Sequence, residues 1–99
     1  MGRVGVIAHF EAKPGYDARM EQFFREGVQI VEMQPVTTKW FAFRISPTSY
    51  GAFAVFDSEA DREALLAAGG PKLSIAYKDV FAAPPSFEKI DILESRFKT

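Results

Sequence analysis

The stretch WFAFRISPTSYGAFAVFDSEADREAL, residues 40–65, decides the fold of this chain. Two runs rich in β-forming residues, 38–46 and 50–57, are separated by a short polar segment that begins at Pro47. That spacing is typical of two antiparallel strands joined in a β-hairpin, with the proline in the turn. The stretch therefore predicts two adjacent strands, and the remaining elements are placed around them.

A helix start follows the hairpin directly. Ser58 is predicted to be the N-cap and Asp61 to return toward it, as in a capping box, so a short helix to about Ala68 is expected. The Gly-Gly-Pro sequence at 69–71 stops this helix and starts another, because proline is favoured in the first turn of a helix. The third helix is predicted from apolar residues at intervals of three and four, which are Leu73, Ala76, Tyr77, Val80 and Phe81.

The two ends of the chain supply the other elements. Residues 3–12 predict a strand, which a Pro-Gly pair breaks, and residues 16–31 change to the spacing of an amphipathic helix. Pro84-Pro85 is predicted to close the helical region, and residues 87–97 return to the alternation of a strand.

The order of these elements is β-α-β-β-α(α)-β, and it defines the fold class. It is the order of the ferredoxin-like α+β unit, in which helices cover one face of a four-stranded antiparallel sheet. We expect residues 1–99 to form a single domain of this kind, because the chain is too short for two.

The second face of such a sheet has no helices of its own to cover it. Ile7, and either Phe41, Phe43 and Ile45 or their neighbours, are expected on that face. Aromatic residues also make up 14% of the chain, which is more apolar surface than one small core uses. Face-to-face pairing of two sheets about a two-fold axis would bury this surface, so a homodimer is predicted.

Composition excludes several classes of function. The chain has no cysteine and one histidine, which argues against disulfides, thiolate catalysis and zinc or non-haem iron sites. Carboxylate-only sites for magnesium or calcium stay open by composition, but no clustered Asp/Glu loop appears, so no metal is expected. The formal net charge of −1, with both signs interspersed, gives no reason to expect nucleic acid or an anionic membrane as a partner. No transmembrane run or signal peptide is recognisable, and a cytoplasmic protein is predicted.

Three segments carry a resemblance to a known family. They are VIAHFEAKPG in the first strand and turn, the hairpin-and-helix stretch quoted above, and PPSFEKIDIL in the last strand. In order and spacing they resemble the antibiotic-biosynthesis-monooxygenase-like superfamily of dimeric α+β barrels, from Val4 to about Glu94. The resemblance implies a homodimer with ligand pockets between the sheet and the helices.

The resemblance also implies a choice of activities. Members with known activity oxidise phenolic or quinol compounds with dioxygen and no bound cofactor, or degrade haem, and others isomerise small lactones. The haem-degrading members rely on an asparagine, a tryptophan and a histidine, and alignment puts Ala8, Phe56 and residues 67–70 at those positions. The chain contains no asparagine at all, so haem degradation is not expected. The oxygenases tend to use the same three residue types, which keeps a non-catalytic function open.

The same alignment indicates where a ligand would bind. Alanines on the helix-facing side of the sheet leave room opposite aromatic side chains, and a large apolar space with few polar groups suits a flat aromatic ligand. Ordinary packing of alanine against aromatic residues is the alternative explanation. The candidate substrate-binding residues are Ala8, Tyr16, Phe23, Trp40, Ala54, Phe56 and Tyr77.

Two polar residues are candidates for catalysis. Arg44 shares a strand face with Trp40 and would bind a carboxylate or stabilise an enolate or phenolate; the alternative is a salt bridge to Glu11, Asp91 or a carboxylate of a partner subunit. His9 is the side chain that titrates near neutral pH, so a general base is most easily assigned to it. The alignment turns His9 toward the dimer interface, where a structural role is the alternative.

The leading prediction is a cofactor-independent monooxygenase that acts on a small phenolic or quinol-like aromatic compound. One alternative is a non-catalytic dimeric binding module for a small hydrophobic metabolite. The other is an isomerase or cyclase on the same scaffold, which would need His9 or a carboxylate to face the pocket.

Overall fold

The computed structural model describes residues 3–34 and 36–96, and within them no helix is long and apolar enough to cross a bilayer. The elements are the strands β1 (Arg3–Ala12), β2 (Thr37–Arg44), β3 (Ser49–Phe56) and β4 (Phe81–Ile92) and the helices α1 (Asp17–Met33), α2 (Glu59–Ala68) and α3 (Gly70–Ala76). The order β-α-β-β-α-α-β confirms the predicted ferredoxin-like α+β fold, with α2 and α3 in the place of one second helix.

The four strands form one antiparallel sheet in the order β2-β3-β1-β4. The central strands β1 and β3 pair Ala8 with Ala52 and Phe10 with Tyr50. The β2–β3 hairpin pairs Trp40 with Ala54. Because strand side chains alternate between faces, all of these residues point to the same side of the sheet, which the helices cover.

Short polar side chains form the hairpin turn and the start of α2. The Ser49 amide donates to Ser46 Oγ over 3.1 Å inside the turn. The Asp61 amide donates to Ser58 Oγ, also over 3.1 Å, which confirms Ser58 as the N-cap. A serine in this position stabilises a helix by about 1 kcal/mol, so the sequence specifies where α2 begins.

The core consists of two apolar clusters between the sheet and the helices. In the first, Phe10 packs edge to face on Phe23 with ring centroids 5.1 Å apart and stacks on Phe81 at 5.8 Å. Phe23 also meets the ring of Tyr77 at 5.3 Å, so α1 and the segment after α3 are held against β1. The second cluster lies between α2 and the sheet and contains Val6, Ala54, Phe56 and Leu65.

The end of the last helix is a correction to the prediction. The helix α3 ends at Ala76, and a turn replaces the predicted helical continuation to Phe81, which is instead the first residue of β4. Tyr77, Val80 and Phe81 are nevertheless buried. Their spacing therefore indicated burial correctly, but the wrong secondary structure.

The start of the last strand is a second correction. Pro84-Pro85 lies within β4 rather than before it, and the strand ends at Ile92; the predicted end at Phe97 falls outside the described residues. The strand accepts the prolines because it is an edge strand whose register with β1 shifts between His9 and Ala12. Proline, which lacks an N–H donor, fits at such edges and bulges.

The face of the sheet away from the helices carries exposed apolar side chains, as predicted. Ile7, Phe41 and Phe43 are 41%, 50% and 40% exposed on it. The ring of Phe41 stacks on that of Phe53 with centroids 6.3 Å apart and planes at 13°. Phe43 lies over Gly51, where an added Cβ would come within 2.6 Å of the ring. This surface, called the open face below, has no covering element among the described residues.

Candidate functional site

A cavity of about 70 Å³ lies between the helix-covered face of the sheet and the helices. The described residues that line it are all apolar. The lining residues are Val6, Ala8, Phe10, Phe23, Phe24, Gly27, Ile30, Val31, Trp40, Ala52, Phe53, Ala54, Leu65, Leu66, Gly69, Gly70, Pro71, Leu73 and Phe87. The predicted space beside the alanines therefore exists, between the two core clusters.

Alanines of the two central strands leave the space on the sheet side. Ala8 and Ala52 are direct cross-strand partners, and Ala54 is the next helix-facing residue along β3, beside Trp40 of β2. Each of these alanines is at least nine-tenths buried. A larger side chain at any of them would project into the cavity, so its volume depends on three neighbouring small residues.

Glycines allow aromatic rings to approach the helices closely. An added Cβ on Gly27 of α1 would lie 3.5 Å from Cζ2 of Trp40, which is ordinary contact. An added Cβ on Gly70 at the start of α3 would lie 2.8 Å from the ring of Phe87, which is too close. The rings of Trp40 and Phe87 therefore enclose the cavity from two strands, and the Phe87 ring reaches its position only because residue 70 is glycine.

Four of the seven predicted substrate-binding residues line this cavity: Ala8, Phe23, Trp40 and Ala54. Phe56 does not line it; this residue is fully buried in the second core cluster. The predicted site is thus assembled in part, with its strand residues and one helical phenylalanine brought together.

Tyr16 and Tyr77 also lie outside the cavity lining. Tyr16, next to the N-terminus of α1, packs against the first cluster. The Tyr77 hydroxyl donates to the Glu26 carboxylate, and the Arg19 guanidinium lies 5.2 Å from its ring centroid. These contacts tie α1 to the turn after α3, so Tyr77 has a structural role in this arrangement.

Arg44 lies at the end of β2, in an open groove between that edge strand and α1. Its Nη2 donates to Tyr50 Oη over 2.6 Å and to Asp17 Oδ2 over 2.9 Å, and its guanidinium lies 5.1 Å from the Tyr50 ring centroid. The hydrogen bond with Tyr50, and after it the one with Asp17, raises the pKa of Arg44 above its ordinary value. The guanidinium is therefore a permanent cation at the mouth of this groove.

The carboxylate partners predicted for Arg44 within the chain were wrong. Asp91 lies on β4, at the opposite edge of the sheet from β2. Glu11 accepts hydrogen bonds from the hydroxyls of Thr48 and Ser49 in the hairpin turn. The actual partner is Asp17 in the first turn of α1, because the start of that helix lies over the end of β2.

His9 lies on the other side of the sheet. It pairs with Gly51 on the open face, it is about half exposed, and its Nε2 is 3.6 Å from Glu11 Oε1. The structure does not bring His9 and Arg44 together, and His9 does not line the cavity. The alignment had placed His9 on this face.

Sequence reasoning missed Phe24, Gly27, Gly70 and Phe87 as parts of the site. One signal could have found Gly27, since glycine is unfavourable inside a helix and needs a packing reason there. Phe24 was recognised only as part of an apolar helix stripe. Its position beside Trp40, at a centroid distance of 6.4 Å, depends on how α1 crosses the sheet.

At one end of the site, the cavity can bury the apolar surface of a ligand. At the other end, the groove carries the Arg44 cation. A cavity of 70 Å³ is larger than a water molecule needs and smaller than the roughly 150 Å³ of a cavity that binds benzene. An aromatic ligand therefore requires side chains to move. Among residues 3–34 and 36–96, no group of three or more His, Cys, Asp or Glu side chains is arranged to hold a metal ion.

Solved structures match the whole length of this chain, whereas no family profile and no curated protein matches it. A protein of unknown function from Nitrosomonas europaea is 28% identical with a TM-score of 0.87, over 100% of this chain and 97% of that one. A candidate antibiotic biosynthesis monooxygenase from Caulobacter crescentus is 21% identical with a TM-score of 0.76, over 94% and 92%. SnoaB, a cofactor-independent oxygenase from Streptomyces nogalater, is 19% identical with a TM-score of 0.71, over 96% and 95%.

These matches define the class of protein by its fold. The chain shares the fold of these solved structures, and it is the fold that the resemblance predicted from the sequence. At these identities the likeness to the named oxygenases concerns architecture, and chemistry has to be argued from the site itself.

Proposed function

We propose that this protein is a homodimeric oxygenase that uses dioxygen without a bound cofactor and acts on a small phenolic or quinol-like compound. The observation that carries the proposal is the wholly apolar cavity beside Trp40, with the Arg44 cation in the adjoining groove. SnoaB, described as a cofactor-independent oxygenase, has the same fold and supports it.

The reaction is balanced without an external reductant when the substrate supplies all the electrons. In an anthrone, a methylene group between two aromatic rings becomes a carbonyl group. One atom of dioxygen enters the product, and the other leaves as water with the two methylene hydrogens. The protein then has to bind the substrate, favour its ionised form and keep bulk water from the reacting carbon.

Two features of the site favour this chemistry. The apolar lining binds flat rings by burying their surface. The permanent charge of Arg44, with the hydroxyl of Tyr50 next to it, stabilises the enolate or phenolate that must form before electrons pass to dioxygen. Among the described residues no titratable side chain lines the cavity, so the proton passes to solvent or to a group in the groove.

Oxygen uptake by purified, chelator-treated protein tests the proposal. A panel of hydroquinones and an anthrone should include a compound that is consumed faster than in a protein-free autoxidation control. Trp40→Ala should lower that rate by about tenfold or more, because the ring that encloses the cavity is lost. Ala82→Val, a strand substitution at an exposed position outside the cavity, is the matched control. Rates equal to autoxidation across the panel would contradict the proposal.

A second copy of the chain is proposed to cover the open face. Monomeric proteins rarely leave a contiguous patch of large apolar side chains in water, and Ile7, Phe41 and Phe43 form such a patch on a flat sheet. When two open faces pack against each other, the two-fold axis lies between the sheets. The same patch then belongs to both partners and contacts its own copy.

Light scattering after gel filtration tests the dimer. Phe41→Glu should shift the mass from two chains toward one, because it places a charge within the apolar patch that the second copy would cover. Ile75→Glu is the matched control, since Ile75 is 69% exposed on α3, on the helix side. A monomeric wild-type protein, or equal masses for both variants, would contradict the proposed homodimer.

A non-catalytic binding module is the second candidate function. It is favoured by a cavity lining in which residues 3–34 and 36–96 place no titratable side chain. Such a protein would show thermal stabilisation by aromatic compounds, because a ligand that binds only the native state raises its stability. Stabilisation together with an oxygen uptake equal to the control would favour this candidate over the oxygenase.

A further inference from the structure

Two spaces of this molecule share a wall made of two aromatic rings. The internal cavity and the groove between α1 and β2 have only Phe24 and Trp40 in common among their lining residues. The two rings meet edge to face, with centroids 6.4 Å apart and planes at 62°. Both side chains are only partly buried. Rotation of either ring toward the groove therefore joins the two spaces.

The residues packed around Phe24 and Trp40 leave these rings room to move. Trp40 packs against Gly27 of α1, which has no side chain to hold the indole in place. On the groove side, the next residue of β2 on the same face is Ala42, which is small and exposed. The groove is about 690 Å³, so a displaced ring has space to enter it.

The groove ends in hydrogen-bond donors. Arg44 lies four residues beyond Trp40 on the same face of β2, so their Cα atoms are about 13 Å apart along the strand. Both hydrogen bonds that Arg44 makes to described residues come from Nη2, which leaves the donors on Nη1 and Nε for a ligand. Tyr50 accepts from Arg44, so its own hydroxyl proton is free to be donated.

The charges around the groove favour an anion at this end. Arg25 is a second guanidinium in the groove, and its ion pair with Glu21 is long, at 3.9 Å, and exposed. Asp17 already occupies one edge of the Arg44 guanidinium, so an incoming oxyanion binds at the remaining donors. A charge-assisted hydrogen bond of this kind is roughly twice as strong as one between neutral groups.

We propose that the cavity and the groove together form one site for an aromatic ligand that carries an oxyanion. The rings lie in the cavity behind Phe24 and Trp40, and the oxyanion, a carboxylate or an ionised hydroxyl, lies against Arg44 and Tyr50. Phe24 and Trp40 open to admit the ligand. This inference rests on the proposed function and names its substrate class: acidic aromatic compounds rather than neutral ones.

Calorimetric titration with two matched probes tests the ligand class. The probes are 2-naphthoate and its neutral amide, chosen because they have the same two rings and differ in the charge of the substituent. At pH 7 the naphthoate should bind about tenfold more tightly than the amide. Arg44→Gln should lower naphthoate affinity by about tenfold and change amide affinity by less than about twofold. Arg19→Gln, on the same helix as the groove wall but outside the groove, is the control and should leave both affinities unchanged.

The movement of Trp40 is followed in the same titration. The chain has one tryptophan, so a single indole N–H signal in an NMR spectrum reports on the ring, and it should shift on naphthoate binding. Arg44→Lys keeps the charge and should retain part of the selectivity for naphthoate, which covers the case in which Arg44→Gln does not fold. Circular dichroism checks the fold of each variant.

The outcomes separate this inference from the oxygenase proposal. Equal affinities for the two probes, unchanged in Arg44→Gln, would overturn the acidic ligand class and leave an oxygenase for neutral compounds standing. Binding that leaves the indole signal in place, or no binding of either probe, would overturn the joined site. The oxygenase proposal is tested by oxygen uptake, which is measured independently of probe binding.

Discussion

Ala54→Val is expected to stabilise the protein and to abolish ligand binding at the same time. The substitution adds two methyl-sized groups that point into the cavity between Trp40 and Val6. Each buried group of this size contributes about 0.8 kcal/mol, so the upper limit is about 1.6 kcal/mol. Overpacking strain reduces this gain, and we expect a net increase of about 1 kcal/mol in the free energy of unfolding.

Urea-induced unfolding at one protein concentration measures this free energy. A gain of about 1 kcal/mol corresponds to a rise of about 4–8 °C in the melting temperature of a domain this size. Ala82→Val is the control, because it makes the same change at an exposed strand position and should alter stability by less than about 0.5 kcal/mol. If Ala54→Val lowered the free energy of unfolding by more than about 1 kcal/mol, the predicted gain would be wrong. Such a result would mean that the space beside Ala54 is already filled.

Three other substitutions test the packing around the site, all by the same unfolding measurement. Gly27→Ala should stabilise by about 0.5–1 kcal/mol, because alanine favours helix and its Cβ makes only ordinary contact with Trp40; a loss would contradict that geometry. Gly70→Ala should destabilise by about 1–3 kcal/mol, because its Cβ would displace the ring of Phe87, and a neutral result would show that the ring moves freely. Arg62→Leu should lower the free energy of unfolding by about 1.5–3 kcal/mol, because the buried guanidinium donates to backbone carbonyls of β1 and β4. An unchanged urea midpoint would mean that these hydrogen bonds contribute nothing to stability.

Local patterns predicted most of the fold. The hairpin around Pro47 and the N-cap at Ser58 are determined within a few residues, and both lie where the sequence places them. Ala8, Ala54 and Phe56, which the alignment with the family placed on the helix-facing side of the sheet, do lie there. The boundary between α3 and β4 failed because tertiary pairing with β1 holds Pro84-Pro85 in a strand, and no local preference indicates that.

The site was predicted in part because only some of its features are local. Small residues on one strand face can be read directly, and Ala8 and Ala54 do line the cavity. The pairing of Arg44 with Asp17 joins residues 27 positions apart and depends on where α1 crosses the sheet. The same holds for Gly70 and Phe87. Contacts between residues that are far apart in the sequence follow from tertiary packing, which a local sequence pattern does not contain.

The most direct test of the central claim is the fate of isotopically labelled dioxygen during turnover of an anthrone by the metal-free protein. A monooxygenase should place one labelled oxygen atom in the new carbonyl group of the product and the other in water, with no hydrogen peroxide released. Product without label, or one hydrogen peroxide for each substrate oxidised, would contradict a monooxygenase.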